Sequence, residues 1–434
     1  MQNGSAEALR SRPYAARVVD RELDELLSVL PAIALEGAKG VGKTATALQR
    51  AAAARELDDP QQRQLGTADP ARLLDGPSPL LIDEWQELPE SWDLVRRAVD
   101  RGAEPGSFLL TGSARPAERG AHSGAGRIIS LRMRPLALVE RALDEPTVSL
   151  AALLDGTRPA VAGTTAVGLE HYVEEIVGSG FPGLRSLHGR ALRAQLDGYL
   201  LRIVDRDFEQ LGHTPRDPDG LRRWMTAYAA ASSTTASYET IRDAATSGHG
   251  DKPAKSTAIP YRTVLERLWI VDPVEAWLPT RNRISRISSP PKHQLADPAL
   301  AARLLGLDAE ALLDGRPAGP PIARDGTLAG ALFESLVTLS LRTYAQGAEA
   351  TVKHLRTAGG RREVDLIVER ADGRVVAVEV KLTRTVRDHD TGHLRWLAGQ
   401  IGDELLDAVI VTTGPDAYRR RDGIAVVPAA LLGP

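Results

Sequence analysis

The sequence has no cysteine, few lysines and no long apolar run, and each absence removes a class of function. With no cysteine among 434 residues, disulfides, cysteine-ligated zinc, iron–sulfur clusters and thiol nucleophiles are excluded. No stretch approaches the roughly 20 apolar residues of a membrane helix. Met1 to Arg12 is polar and carries no apolar segment of the secretory type. A cytoplasmic protein without a membrane partner is the expectation. An excess of one charge is missing too: 54 Lys and Arg stand against 57 Asp and Glu, a net charge of −3. That excludes a globally basic nucleic-acid coat and an acidic disordered tail. Only seven of the cations are lysines: Lys39, Lys43, Lys252, Lys255, Lys292, Lys353 and Lys381. Wherever either cation would serve, this chain nearly always uses arginine. A lysine in a chemically demanding place therefore carries information.

What is present is a soluble globular mix, 43% hydrophobic and 26% charged, in a chain long enough for about three domains of roughly 150 residues. From Pro31 to Leu136, short apolar runs (Ala32–Leu35, Leu80–Ile82, Phe108–Leu110, Ile128–Leu131) alternate with helical stretches (Lys43–Leu57, Pro70–Leu74, Ser91–Val99). Such alternation predicts a parallel sheet covered on both faces, an α/β fold. Ala142–Val167 reads as a boundary and Tyr172 to Leu305 as mostly helical, with Leu192–Phe208 and Leu221–Ala231 strongly periodic. A second boundary, Arg316–Gly326, precedes a helix (Thr327–Tyr344), a strand pair (Glu363–Glu369 and Arg374–Leu382), a helix (Trp396–Leu406) and a strand (Ala408–Thr413). Three domains are expected, over 1–140, 165–310 and 325–434.

The run Gly37-Ala38-Lys39-Gly40-Val41-Gly42-Lys43-Thr44 fits GxxxxGK[ST] and lies between an apolar strand and a helical stretch, the context this motif requires. Gly37, Gly40 and Gly42 let backbone N–H groups curl around phosphate oxygens, and the helix N-terminus adds its dipole. Lys43 would reach the β- and γ-phosphates of ATP, and the Thr44 hydroxyl would bind Mg²⁺. Leu80-Leu81-Ile82-Asp83-Glu84 is an apolar strand ending in two carboxylates. At the carboxyl end of a parallel strand, Asp83 could hold the metal and Glu84 orient or deprotonate the attacking water; the pair also fits a plain helix N-cap. Thr111 and Ser113, after Phe108–Leu110, could sense the γ-phosphate or simply make a turn. Among Arg127, Arg132 and Arg134, Arg127 is favoured to supply transition-state charge, in its own subunit or a neighbouring one of a homo-oligomer.

In the middle region, Ser237–Thr246 and Ser256–Trp269 read as helices and Ile270–Val274 as a strand, the order of a winged helix-turn-helix. Lys252, Lys255, Arg262 and Arg267 suit phosphate contacts to DNA or another nucleic acid, while Asp251, Glu266 and Asp272 dilute that charge and leave a protein-binding or packing module open.

Near the C-terminus the hairpin Glu363–Glu369 and Val375–Lys381 places Glu379 and Lys381 on one face. An odd-length turn or a bulge at Gly373 would bring Asp365 opposite Glu379. Ionisable groups in strands otherwise built of Val, Leu and Ile are rarely incidental, because burying unpaired charge is costly. Two carboxylates and a lysine suit Mg²⁺-assisted phosphodiester cleavage: Asp365 and Glu379 would hold the metal, with Glu334 as a further ligand, and Lys381 would position water or stabilise charge. A buried salt-bridge cluster that cuts nothing fits the same residues. His389 and His393, in a polar stretch with Gly392, read as a solvated turn.

On these residues the chain resembles prokaryotic ATPases that join an AAA+-like P-loop domain to a C-terminal domain called DUF 4143. The matching pieces are Gly37–Thr44, Leu81-Ile82-Asp83-Glu84-Trp85-Gln86, Leu110-Thr111-Gly112-Ser113, Gly126-Arg127, Arg134-Pro135-Leu136, Gly180-Phe181-Pro182, Tyr199–Asp207, Gly330-Ala331-Leu332-Phe333-Glu334, Glu363-Val364-Asp365 and Glu379-Val380-Lys381. The resemblance implies ATP binding, a winged-helix middle and a C-terminal fold similar to PD-(D/E)xK nucleases; it implies no substrate. The expected function is a Mg-ATP-dependent ATPase acting as a switch on a nucleic-acid- or protein-binding module. The alternative is an ATP-gated, metal-dependent nuclease. From Arg324 onward cations and carboxylates are equal in number, so no gross electrostatic funnel favours the nuclease.

Overall fold

The computed structural model describes residues 14–113, 126–211, 217–246, 255–277, 290–315, 317–320, 322 and 326–434. Lys252 and Asp251 lie outside them, as do the side chain of Lys255 and residues 316, 321 and 323–325 of the Arg316–Gly326 boundary. The chain divides into two compact units. Of the described residues, the first holds those up to Arg134 together with Phe181–Gly183 and Arg267–Trp269, and the second holds the remainder.

In the first unit, α1 (Val19–Leu27) leads to β1 (Ala32–Glu36), α2 (Lys43–Leu48), β2 (Ala53–Glu56), α3 (Pro60–Ala68), β3 (Leu80–Asp83), α4 (Glu90–Asp100), β4 (Phe108–Gly112) and β5 (Ile129–Arg132). The sheet order is β2-β3-β4-β1-β5, and every pairing is parallel. All residues of β1, β3 and β4 are buried, as expected of strands covered on both faces. Ala32, Ala34, Leu80, Ile82, Phe108 and Leu110 pack with Trp92 and Val95 of α4 in one core. One departure from the sequence pattern is local. The Ala-rich run from Lys43 predicts a helix to Leu57, yet α2 ends at Leu48 and Ala53–Glu56 becomes an edge strand paired with β3. Helix propensity is a weak preference, and pairing along the sheet overrides it.

The second unit begins with β6 (Val148–Ser149), α5 (Leu150–Leu154) and β7 (Ala162–Thr164). A helical stretch follows: α6 (Leu169–Val177), α7 (Gly189–Arg202), α8 (Pro218–Ala230), α9 (Tyr238–Ala244), α10 (Lys255–Arg267), α11 (Pro298–Leu304) and α12 (Ala309–Leu313). After the 20-residue α13 (Leu328–Gly347) come β8 (Thr351–Arg356), β9 (Glu363–Glu369), β10 (Val375–Lys381), α14 (Gly392–Ile401), β11 (Leu405–Thr412), β12 (Asp416–Arg419), β13 (Ala425–Pro428) and β14 (Leu432–Gly433). The main sheet has the order β7-β12-β13-β11-β10-β9-β8 and is mixed: β10 pairs antiparallel with β9 and parallel with β11. The helix expected over Trp396–Leu406 lies earlier, over Gly392–Ile401, and stops at Gly402, whose φ of 51° is left-handed. Ile270–Val274 forms no full strand. Val271 and Val274 make isolated antiparallel pairs with Leu295 and Lys292, because Pro273 between them offers no N–H to a ladder.

Candidate functional site

The phosphate loop follows β1, which lies between β4 and β5, so the loop opens at the carboxyl ends of the sheet where the strand order reverses. Gly37 sits against the carbonyl of Met133, and any Cβ there would collide with it. Gly42 caps α2 with a left-handed φ of 100°, a conformation that costs other residues roughly 1–2 kcal/mol. Gly40 is left-handed as well, with Phe181 packed nearby. Lys43 is 4% exposed, and its ammonium donates to the carbonyls of Gly37 at 2.9 Å and Ala38 at 3.0 Å. Burial lowers its pKa to about 8, against the opposing pull of Glu84 and Asp83.

Asp83, at the end of β3, accepts from the Thr44 hydroxyl at 2.8 Å and from the Thr111 hydroxyl on β4. Burial raises its pKa to about 6, although both hydroxyls work the other way. Thr111 also accepts from the backbone N–H of Glu84 at 3.3 Å. Glu84 has a left-handed φ of 51°, strain of the kind found at functional positions. Its carboxylate is held by the amide of Gln86 and, at 3.1 Å, by the hydroxyl of Ser113. Residues at the start of α2 and at the ends of β3 and β4 thus form one hydrogen-bonded series, from Thr44 through Asp83 and Thr111 to Glu84. A hydroxyl beside a carboxylate, next to a buried ammonium, is a donor set that fits Mg²⁺ and a polyphosphate. Arg127 stands elsewhere: its guanidinium donates to Asp100 at 2.8 Å on the surface, and it would have to leave that pair to meet a nucleotide.

Sequence reasoning missed the support behind the loop. The buried Arg17 donates to the carbonyls of Val41 and Arg134, each at 2.7 Å. Tyr14 joins Asp20 at 2.8 Å to Thr46 of α2 at 3.0 Å. These contacts are long-range in sequence, and no motif marks them.

In the second unit the turn between β9 and β10 has five residues with Gly373 left-handed, and Leu366 pairs with Val378. Continuing that register by one residue sets Asp365 opposite Glu379. Lys381 lies 2.6 Å from Glu379 and 3.9 Å from Asp365, whose carboxylate also accepts the N–H of Val380 at 2.9 Å. His393, on α14 rather than in a solvated turn, comes within 3.7 Å of Glu379. Burial raises the pKa of Glu379, reinforced by the charge of Asp365. Burial alone would raise that of Asp365 too, but Lys292 and Lys381 outweigh it and hold it below the usual carboxylate range.

Lys292 is the residue the sequence reading left out. It is 0% exposed, and its ammonium lies 2.8 Å from Glu334, 3.2 Å from Glu363 and 3.4 Å from Asp365. Burial alone would lower its pKa, but three carboxylates hold it above the ordinary lysine value. The expected ligand set of Glu334, Asp365 and Glu379 is therefore shared between two lysines, with Asp365 next to both. Glu334 and Asp365 face Lys292, while Glu379 faces Lys381. Among the described residues no group of three or more His, Asp or Glu side chains is arranged to hold a metal ion. The rarity of lysine in this chain was the one signal that could have found Lys292.

In the middle region α9 is capped by Ser237, which accepts from Thr240, and α10 follows. Arg262 stacks over Tyr238 at 4.5 Å and pairs with Glu266 at 3.5 Å. No helix of the described residues is long and apolar enough to cross a membrane.

Comparison with known proteins places an AAA domain over residues 30–142. A domain of unknown function (DUF8612) matches residues 169–311, and another, DUF4143, matches residues 329–432. The uncharacterised proteins Mb2031c of Mycobacterium bovis and Rv2008c of Mycobacterium tuberculosis are each 26% identical over 432 residues, 98% of this chain and 85% of theirs. Among solved structures, the Walker-type ATPase PABY2304 of Pyrococcus abyssi is 16% identical, covering 68% of this chain and 99% of its own, with a TM-score of 0.39. The ORC2 protein of Aeropyrum pernix is 15% identical, covering 70% and 92%, with a TM-score of 0.27.

Proposed function

We propose that the chain is a Mg²⁺-dependent ATPase whose nucleotide state acts as a switch on a nucleic-acid- or protein-binding module. The observation that carries this reading is the series Thr44–Asp83–Thr111–Glu84 beside the buried Lys43. The AAA domain over 30–142 supports it. Lys43 turns from the loop carbonyls to the β- and γ-phosphates, exchanging two neutral acceptors for charged ones. Thr44 and Asp83 would hold Mg²⁺, which neutralises phosphate charge when bound. Glu84 orients water and accepts its proton, provided that Gln86 and Ser113 release its carboxylate. Thr111 bonds both Asp83 and the Glu84 backbone, so it registers a change at either. Arg127 is the proposed source of transition-state charge, from this chain or from a second copy in a homo-oligomer. The module acted upon is assigned to α9, α10 and the pairs at Val271 and Val274.

Glu84→Gln keeps the shape and removes the base. Phosphate release should fall by about 10²-fold or more while ATP still binds. Turnover at the wild-type rate would remove Glu84 from the chemistry. The nuclease reading draws on Asp365, Glu379 and Lys381 standing together, and the ammonium of Lys292 weighs against it.

A further inference from the structure

Two of the three carboxylates expected to bind a divalent metal in the second unit, Glu334 and Asp365, already enclose, together with Glu363, a cation of the chain's own. Lys292 sits opposite Val274 in an isolated antiparallel pair, with reciprocal backbone hydrogen bonds of 2.8 and 2.9 Å. Those bonds fix where its side chain starts. The fully buried ammonium then reaches Glu334 on α13, and Glu363 and Asp365 on β9. It also lies 3.3 Å from the backbone carbonyl of Asp365. Carboxylate oxygens from two elements, joined by a backbone carbonyl, are the ligand types a hard divalent cation takes. Here they converge on nitrogen.

The charges of the cluster are already nearly matched. Glu334, Glu363, Asp365 and Glu379 face Lys292 and Lys381, and Arg356 donates to Glu363 at 2.9 Å. Counted as fully ionised, the four carboxylates exceed these three cations by one charge, beside His393. Burial, which raises the pKa of Glu334 to about 8 and that of Glu379 as well, lowers the negative charge further. A divalent ion would have to expel a buried ammonium or share its ligands at like-charge distance, and neither is favourable in a site screened from water.

The structure assigns Lys292 as a built-in counter-ion that occupies a latent divalent-cation site formed by Glu334, Glu363 and Asp365, so that this cluster works without metal. An ammonium has no open coordination position and cannot activate water as a metal does. At these three carboxylates the cluster then supplies charge balance and packing rather than a metal site. This inference does not depend on the phosphate loop turning over ATP.

The test uses the full chain carrying Asp83→Asn and Glu84→Gln, which removes the two carboxylates at the end of β3 beside the loop, in nucleotide-free buffer. Mn²⁺ binding is read by electron paramagnetic resonance and melting temperature by tryptophan fluorescence, with Lys292 intact and with Lys292→Ala. The parent should take up no Mn²⁺ through this cluster, and its melting temperature should not respond to Mn²⁺. Lys292→Ala should melt lower without metal, gain about one Mn²⁺ per chain at least about tenfold more tightly than the parent, and recover stability as the ion binds. Adding Asp365→Asn should abolish that gain. Mn²⁺ bound by the parent and lost with Asp365→Asn would overturn the assignment, as would a folded Lys292→Ala chain with no new site. If Lys292→Ala does not fold even with Mn²⁺, Lys292→Gln is read by the same two outcomes, and the parent result decides on its own.

Discussion

At the residue scale, two ionisable groups at the phosphate loop are moved toward neutrality from opposite sides. Burial brings Lys43 down to about 8 and Asp83 up to about 6. In the proposed mechanism Lys43 keeps its proton to meet phosphate, and Asp83 loses its own to hold a metal. Activity should therefore fall as pH drops below about 6, where Asp83 takes a proton, and again as pH rises above about 8, where Lys43 gives one up. The profile of kcat/KM reports the free enzyme, so it is the one to measure. A profile flat across both limbs would mean that neither group titrates in the working site. These residues were legible in the sequence because the chemistry is local: Gly37, Gly40, Gly42, Lys43 and Thr44 lie within one turn of backbone. Arg17 and Lys292 were not legible. Each acts on groups far along the chain, Arg17 on Val41 and Arg134, Lys292 on Glu334 and Asp365. A lone cation in sequence carries no sign of where it will land.

At the element scale, the sequence pattern located β1, β3 and β4 and the β9–β10 hairpin because their apolar runs are short and bounded by turn residues. It failed at β2 and in the segment after α10, where the outcome depends on a partner. Ala53–Glu56 is a strand only because β3 lies alongside, and Ile270–Val274 is broken by Pro273. Element ends show the same division. Asp297 is the N-cap of α11, and its carboxylate accepts from the Ala299 N–H at 2.9 Å. Its second oxygen, however, takes the hydroxyl of Ser179 at 2.7 Å and the N–H of Gly180 at 2.8 Å, more than a hundred residues away. Asp297 is fully buried. Asp297→Ala should therefore cost more than the ~1 kcal/mol of an ordinary cap, about 3 kcal/mol, because it leaves buried donors unpaired as well. Urea unfolding measures this, and a loss no larger than that of a surface cap would show that the bonds to Ser179 and Gly180 contribute little.

At the scale of the whole molecule, three features belong to one account. The AAA domain carries a buried lysine, a carboxylate tied to two hydroxyls and a strained glutamate at the carboxyl ends of parallel strands. The second unit carries a carboxylate cluster closed by lysines. The chain as a whole uses lysine only seven times, and Lys43, Lys292 and Lys381 are the three held among carboxylates or loop carbonyls at these two places. A compact ammonium on a flexible stem suits both settings, where a planar guanidinium does not fit as readily. The account gives the first place the chemistry and the second a structural charge balance. Its central claim is that the phosphate loop turns over ATP, and the most direct test is Mg²⁺-dependent phosphate release by the full chain and by Lys43→Ala. The account predicts turnover in the wild type and a loss of at least about 10²-fold in Lys43→Ala. Equal rates in the two proteins would contradict it.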